Sequence, residues 1–189
     1  MSERILALDI GSSSVRAAVC DRFAAAIPGT FTQIAAQFER TPDGGATLDP
    51  ESVCALIFDC IDQTLAKAGP EAITRVTIDT FVTSLVGVDA RGTPATPLYT
   101  WADARGSGLI PALRRQLDGE AYRQRTGAYV HPSYWPLRLA WLRGDTPERF
   151  AAVRCWLTLG AYLMRRLFGA NRISISDASW TGQIGRAHV

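Results

Sequence analysis

Little in this sequence points to a metal centre, a disulfide framework or a membrane span. Its four cysteines, Cys20, Cys54, Cys60 and Cys155, contain no CxxC pair, and its two histidines, His131 and His188, lie far apart. That spacing is neither a zinc set nor a disulfide scaffold; it reads as reduced, buried thiols of a cytosolic protein. No apolar run approaches the roughly 20 residues that cross a bilayer, and no basic-then-apolar leader opens the chain. The expectation is a cytoplasmic protein with no membrane partner. Formal charge is +2, without a basic run or stripe, which argues against nucleic acid as the main partner. Internal repeats, linkers and low-complexity segments are missing too.

What is present suffices for a core. The 189 residues are 47% hydrophobic and 20% charged, enough for one large domain or a lobe of something bigger, and disorder is excluded. The most informative stretch is Ile5 to Asp21, ILALDIGSSSVRAAVCD. A short apolar run ends on Asp9, a Gly and three Ser follow, and a second apolar run closes on Asp21. Two strand-like runs around small polar residues predict a β-hairpin. Gly11 permits a tight turn and close approach of another group. Ser12, Ser13 and Ser14 add hydroxyls and unobstructed N–H groups, which in a turn can form an anion-binding concavity. Asp9, at the strand end, is placed to hold Mg²⁺, which favours one or two carboxylates plus phosphates. Arg16 adds positive charge on the same hairpin. Spacing alone leaves two readings open: a phosphate cradle, or an ordinary Gly-Ser turn with a solvated Asp.

Farther along, Phe23 to Ile27 and Phe31 to Phe38 are apolar-rich and could extend the hairpin into a three-stranded meander, broken at Pro28-Gly29. Thr41 to Gly45 is a loop by composition. Asp49-Pro50-Glu51 opens a helix, Val53, Leu56, Ile57, Cys60, Ile61 and Leu65 recur at helical spacing, and Gly69-Pro70 stops it. Arg75 to Asp79 predicts a strand continuing through Leu85 to Val88, and Pro97 to Trp101 another. Strands, a crossover helix and strands again predict an α/β sheet with its ligand at the strand ends. The second half reads as mainly helical: Ser107 to Leu117, Gly119 to Thr126, a compact apolar stretch Pro136 to Arg143, a helix from Thr146-Pro147-Glu148, and Gly160 to Phe168. Val153 to Leu157 and Ile173 to Trp180 read as strand and strand-to-loop.

Several of these pieces share a resemblance. ALDIGSSSVRAAVCD resembles the first phosphate motif of the FGGY carbohydrate kinases, members of the actin/hexokinase/Hsp70-like ATPase superfamily. VTIDTFVTSLVGVDARGTPATPLYTWADARG is similar to that family's substrate-lobe signature, with its Trp-x-Asp-x-Arg motif on Trp101, Asp103 and Arg105. TGAYVHPSYWPLRLAWLR and SDASWTG resemble two further family elements, in the correct order. The fold this implies is an α/β, ribonuclease H-like/actin-like ATPase lobe: a mixed sheet with an opening hairpin meander flanked by helices, and truncated. Residues 1–183 would form the lobe. Residues 184–189 (IGRAHV), which match a reading frame of a common sequencing adapter, are read as a non-native tail.

The resemblance also implies roles. Asp9 would sit near Mg²⁺; Gly11, Ser12, Ser13, Ser14 and Arg16 would serve the ATP phosphates; Val82, Thr83, Trp101, Asp103 and Ser133 fall where the family contacts its sugar. A Trp beside polar groups suits a polyol, its ring covering C–H faces while polar groups take hydroxyls. His131-Pro132 reads as a turn. Where glycerol kinases carry Arg-Glu and xylulokinases Met-His, this chain has Val82-Thr83, and the family's Lys is Arg138, which keeps the charge but alters hydrogen-bond geometry. TFVTSLVGVD and HPSYWP look closest to gluconate-kinase-like members. The implied activity is ATP-dependent phosphorylation of a hydroxyl on a sugar or sugar acid, gluconate favoured over xylulose or another pentulose. The full-length protein could be a homodimer. The family's general base, an Asp downstream of the ASxTG element, is not in this sequence, so the chain by itself is expected to be inactive. The alternative is a non-enzymatic sugar- or nucleotide-binding module of the same superfamily.

Overall fold

A computed structural model describes residues 3–69, 71 and 73–183. In chain order its elements are β1 (Ile5–Ile10), β2 (Ser14–Cys20), β3 (Thr32–Ala35), β4 (Glu39–Arg40), β5 (Ala46–Leu48), α1 (Pro50–Ala68), β6 (Arg75–Thr80), β7 (Val86–Val88), β8 (Leu98–Tyr99), a 3₁₀ turn (Arg105–Leu109), α2 (Ile110–Gln116), α3 (Gly119–Thr126), α4 (Trp135–Asp145), α5 (Pro147–Ala152), β9 (Cys155–Leu157), α6 (Leu159–Phe168) and α7 (Ile175–Ser179). They form two compact units, Met1–Phe38 with Glu51–Phe81, and Glu39–Pro50 with Val82–Val189.

The first unit is a four-stranded sheet in the order β3-β2-β1-β6, with β1 antiparallel to β2 and parallel to β6. Strand alternation explains its faces. Leu6, Leu8 and Ile10 of β1 pair with Val19, Ala17 and Val15 of β2, and all six are buried. Helix α1 buries Val53, Ile57 and Cys60, a stripe at helical spacing, and the Cys60 thiol lies 3.7 Å from the Val15 carbonyl oxygen. Each fully buried aliphatic side chain of this kind contributes about 1.5–3 kcal/mol. Burial also pushes the Cys60 thiol above its ordinary range, as for a packing thiol rather than a reactive one. Lys67, in the last turn, donates to the Phe31 carbonyl and the Thr32 hydroxyl, both at 2.8 Å, which ties α1 to the start of β3.

The second unit holds two small sheets, β4-β5-β8 and β7-β9, and the helices α2 to α7. Its core joins Leu85, Tyr99, Trp135 and Leu142, with Leu139, Trp141, Phe150 and Trp156 packed against them. Tyr99 and Trp141 meet edge to face, centroids 6.1 Å apart, a favourable quadrupole arrangement. Helices α3, α6 and α7 start where a side chain caps them: Asp118 accepts from the N–H groups of Glu120 and Ala121, Thr158 from Ala161, and Ser174 from Asp177.

Four local expectations need correction. Phe23 to Ile27 is not a strand: Asp21 accepts from the N–H groups of Phe23 and Ala25, and the third strand of the meander comes from the second apolar run. The run Arg75 to Val88 is two strands of different sheets, broken where Thr83 adopts φ 58°. Ser107 to Leu117 divides into a 3₁₀ turn and a helix with Pro111 at its start. Ile173 to Trp180 contains a helix rather than a strand, because Ser174 caps it. Pro70 and the tail 184–189 lie outside the described residues. Among those described, no helix is long and apolar enough to cross a membrane.

Candidate functional site

The residues singled out by sequence fall into two sets, one in each unit. In the first unit, the hairpin turn is closed by Gly11 N–H donating to the Ser14 carbonyl at 2.9 Å, with Ser13 accepting from Ala36 N–H. A Cβ at position 11 would lie 3.2 Å from the Ser14 oxygen and 3.3 Å from Arg16 Nη2, so the turn is tight because residue 11 has no side chain. Ser12 is half-buried and Ser13 exposed, and the hydroxyls of both are without a protein partner among the described residues. Ser14 differs: it is buried, and its hydroxyl accepts from the Gln33 amide at 3.1 Å.

Asp9 lies beside this turn on the sheet face opposite the apolar one. Its side chain is 49% exposed and that of Arg16 43%, and Arg16 Nε lies 3.3 Å from Asp9 Oδ2 without the alignment of a hydrogen bond. The strand register puts Arg16 on one side of Asp9 and Asp79, also exposed, on the other. A Gln-Arg-Asp-Asp row, Gln33 to Asp79, thus crosses the four strands on one face. Among the described residues no three His, Cys, Asp or Glu side chains gather as a ready-made metal cage. An accessible carboxylate beside a small-residue turn, with Asp79 next to it in register, does fit Mg²⁺, which is bound by one or two carboxylates, keeps waters and takes its remaining ligands from phosphate oxygens.

In the second unit, Val82 is half-buried, while Thr83 is buried in the left-handed region, its hydroxyl without a partner. Trp101 is 51% exposed. Asp103, two residues on, is not open: its side chain is 1% exposed. Its carboxylate takes Arg105 Nη2 at 2.6 Å, Arg105 Nε at 3.2 Å and the Ala46 N–H at 3.0 Å. Burial works against the Arg105 charge, but the hydrogen bonds and charge of Asp103 outweigh it, and the guanidinium is held above its ordinary range. That guanidinium also lies 4.8 Å over the Trp141 ring. Ser133 is buried with its hydroxyl 2.7 Å from His131 Nδ1, so the His-Pro turn orients a serine.

Two of the recognised segments meet in this unit. Trp135 N–H donates to the Thr181 carbonyl at 2.9 Å, and Tyr122 Oη donates to the Gly182 carbonyl at 3.1 Å. Gly182, at φ 74°, backs onto Tyr134, where a Cβ would come within 3.0 Å of the ring. Arg138, which sequence reading marked only as an exchange for Lys, emerges as a hub. It is 1% exposed, and donates to the carbonyls of Thr83 and Thr100, each at 2.8 Å. Burial pulls its pKa down to about 10, against the opposing pull of Asp103.

Residues 4–184 match the N-terminal domain of the FGGY family of carbohydrate kinases. The chain belongs to that family. Its members are phosphotransferases. A gluconokinase of Bacillus subtilis (strain 168) is 24% identical over 185 residues, 97% of this chain and 36% of the relative. Among solved structures, a xylulose kinase from Rhodospirillum rubrum aligns with a TM-score of 0.92 at 21% identity, over 98% of this chain and 38% of that one. A gluconate kinase from Lactobacillus acidophilus aligns with a TM-score of 0.90 at 20% identity, over 98% of this chain and 37% of that one. At such identities the structures establish the fold, the actin-like/ribonuclease H-like ATPase architecture. The chain spans a little over a third of the length of these relatives.

Proposed function

We propose that this chain is the amino-terminal lobe, residues 1–183, of an ATP-dependent kinase that phosphorylates a hydroxyl of a sugar or sugar acid, with gluconate as the favoured substrate. The observation that carries the reading is the Gly11–Ser14 turn beside the accessible carboxylate of Asp9, at the end of the first strand of the sheet. Bound Mg·ATP would supply the phosphoryl group and most of the charge neutralisation. The chain's part is positioning and electrostatics, which dominate phosphoryl transfer. Asp9 would hold the metal, Gly11, Ser12 and Ser13 would cradle phosphate oxygens, and Arg16 would turn from Asp9 toward the added negative charge. Ser14 would contribute through its main chain, since Gln33 already engages its hydroxyl.

For the sugar, Trp101 would offer its exposed apolar face, and Val82, Thr83 and Ser133 would add small polar and apolar groups. Asp103 would act on the sugar by holding Arg105 and the Ala46 strand in place. Gluconate is favoured over glycerol because positions 82–83 lack an Arg-Glu pair, and over xylulose because they lack Met-His. Gluconokinases stand among the relatives beside xylulose and glycerol kinases, so the preference for gluconate rests on the residues at these positions. None of the described residues is assigned as the general base in this reading, and the 189-residue chain alone would bind without turnover.

The test is titration of the isotope-labelled chain with Mg·ATP, then with gluconate, xylulose and glycerol. Mg·ATP is expected to shift the amides of Gly11 to Ser14, and gluconate the Trp101 indole; Asp9→Asn should abolish the metal-dependent part of the first response. Shifts elsewhere, or none, would overturn the binding assignments. Clear phosphorylation of any of the three sugars by this chain would overturn the claim that it lacks its base.

A further inference from the structure

The most buried charge in the second unit makes no ion pair among the described residues. Arg138 sits in α4 with main-chain carbonyls as its acceptors: Thr83 on one arm of the guanidinium, Thr100 on the other, and Asp103 more weakly at 3.5 Å. Its Nε has no partner. Removing a guanidinium from water is costly, and replacing buried charge by an apolar side chain of like volume is often stabilising. Stability alone therefore does not explain an arginine here. Its geometry suggests another reason. The planar fork fixes two donors at a set separation, so the two carbonyls they engage are fixed as well. One belongs to Thr83, a β-branched residue at φ 58°, a conformation it holds only where surrounding contacts impose it. The other immediately precedes Trp101, on a loop latched from its far side by Asp103 to Arg105 and to the Ala46 N–H.

We propose that Arg138 is a positioning residue that sets Val82-Thr83 and Trp101 to Asp103 in one fixed arrangement, and so shapes the sugar pocket without touching the sugar. The inference rests on the reading of those two segments as sugar contacts.

Hydrogen exchange on the 189-residue chain tests it, comparing the wild type with Arg138→Met and Arg138→Lys. The reporters are the Ala46 N–H, bonded to the Asp103 carboxylate, and the Asp103 N–H, bonded to the Thr100 carbonyl; amides of the β7–β9 ladder are the reference. In Arg138→Met the two reporters should exchange at least about tenfold faster while the ladder stays within about twofold. Arg138→Lys, which keeps the charge but gathers its donors on one nitrogen, should lie between, and it serves if the methionine variant fails to fold. Reporters unchanged, or reporters and ladder accelerated alike, overturn the proposal. A second arm follows the Trp101 indole on titration with gluconate. Where the wild type responds, Arg138→Met should weaken binding about tenfold and Arg138→Lys less, and unchanged binding despite loosened reporters overturns the proposal. Where the wild type does not respond, the sugar-contact reading fails and the exchange result alone decides whether Arg138 organises the loops.

Discussion

Each unit carries an aspartate–arginine pair on a segment expected to serve function, and the two pairs behave as opposites. Asp9 and Arg16 face each other across a strand pair, 3.3 Å apart and nearly half exposed. Asp103 and Arg105 are 2.6 Å apart, with the carboxylate 1% exposed and filled by a backbone N–H as well. A surface pair in water contributes about 0–1 kcal/mol, so either partner can be diverted to a ligand at little cost to the fold. A buried pair is different, because removing one partner strands the other charge in a poor solvent. The same two residue types thus give a reusable pair in one unit and a fixed strut in the other. Exposure, rather than residue identity, separates a group open to an incoming ligand from one that holds a loop.

The largest effect should come from the strut. Asp103→Asn is expected to destabilise the second unit by about 3–5 kcal/mol, as it leaves Arg105 without its anion and Arg138 without its nearest compensating charge. All five tryptophans lie in that unit, so urea unfolding followed by tryptophan fluorescence reads it. A loss below about 1 kcal/mol would dissolve the contrast between the pairs.

Next comes the turn of the first unit. Gly11→Ala pushes a methyl group against the Ser14 carbonyl and the Arg16 guanidinium, an overpacking cost of about 1–3 kcal/mol, read by far-UV circular dichroism. It should weaken the Mg·ATP response more than that figure alone accounts for, since the methyl also narrows the cradle. Asp9→Asn is smaller still in stability, within about 1 kcal/mol, and the wild-type pair should weaken further in added salt. A cost as large as that of Asp103→Asn would make Asp9 a strut too.

The smallest expected effect concerns Asp177. Burial holds its carboxyl above the ordinary range, opposed by the hydrogen bond from the Thr158 hydroxyl. A carboxyl raised in the folded state favours folding when protonated. Its contribution is complete below the ordinary carboxylate range and is lost as pH rises through the raised value. Mild acidification should therefore stabilise the second unit at this site, and Asp177→Asn should flatten that segment of the pH profile. An unaltered profile would place Asp177 with the exposed, uncoupled carboxylates.

Sequence reading succeeded where information was local. The hairpin follows from two apolar runs around Gly11, and α1 from an apolar stripe at helical spacing after Asp49-Pro50. It failed where a segment's fate depends on distant partners. Arg75 to Val88 reads as one strand because its first half is rich in β-branched residues and its second is apolar, and nothing local shows that its halves join different sheets. Ile173 to Trp180 alternates like a strand, while Ser174 offers a cap that proves the stronger signal. The Ser133 hydroxyl's engagement with His131 was within reach of the sequence, at two residues' separation, but not its geometry.

The chain's order of small, apolar and charged residues by itself determined the opening strand–turn–strand, the crossover helix and the succession of motifs that places it among the FGGY kinases. Only the tertiary structure decided which charges are open and which are enclosed. Ala46, Thr83, the Thr100–Asp103 loop and Arg138 lie far apart in the sequence and acquire their roles by packing together. Burial is a property of what a residue packs against, and no local pattern encodes that.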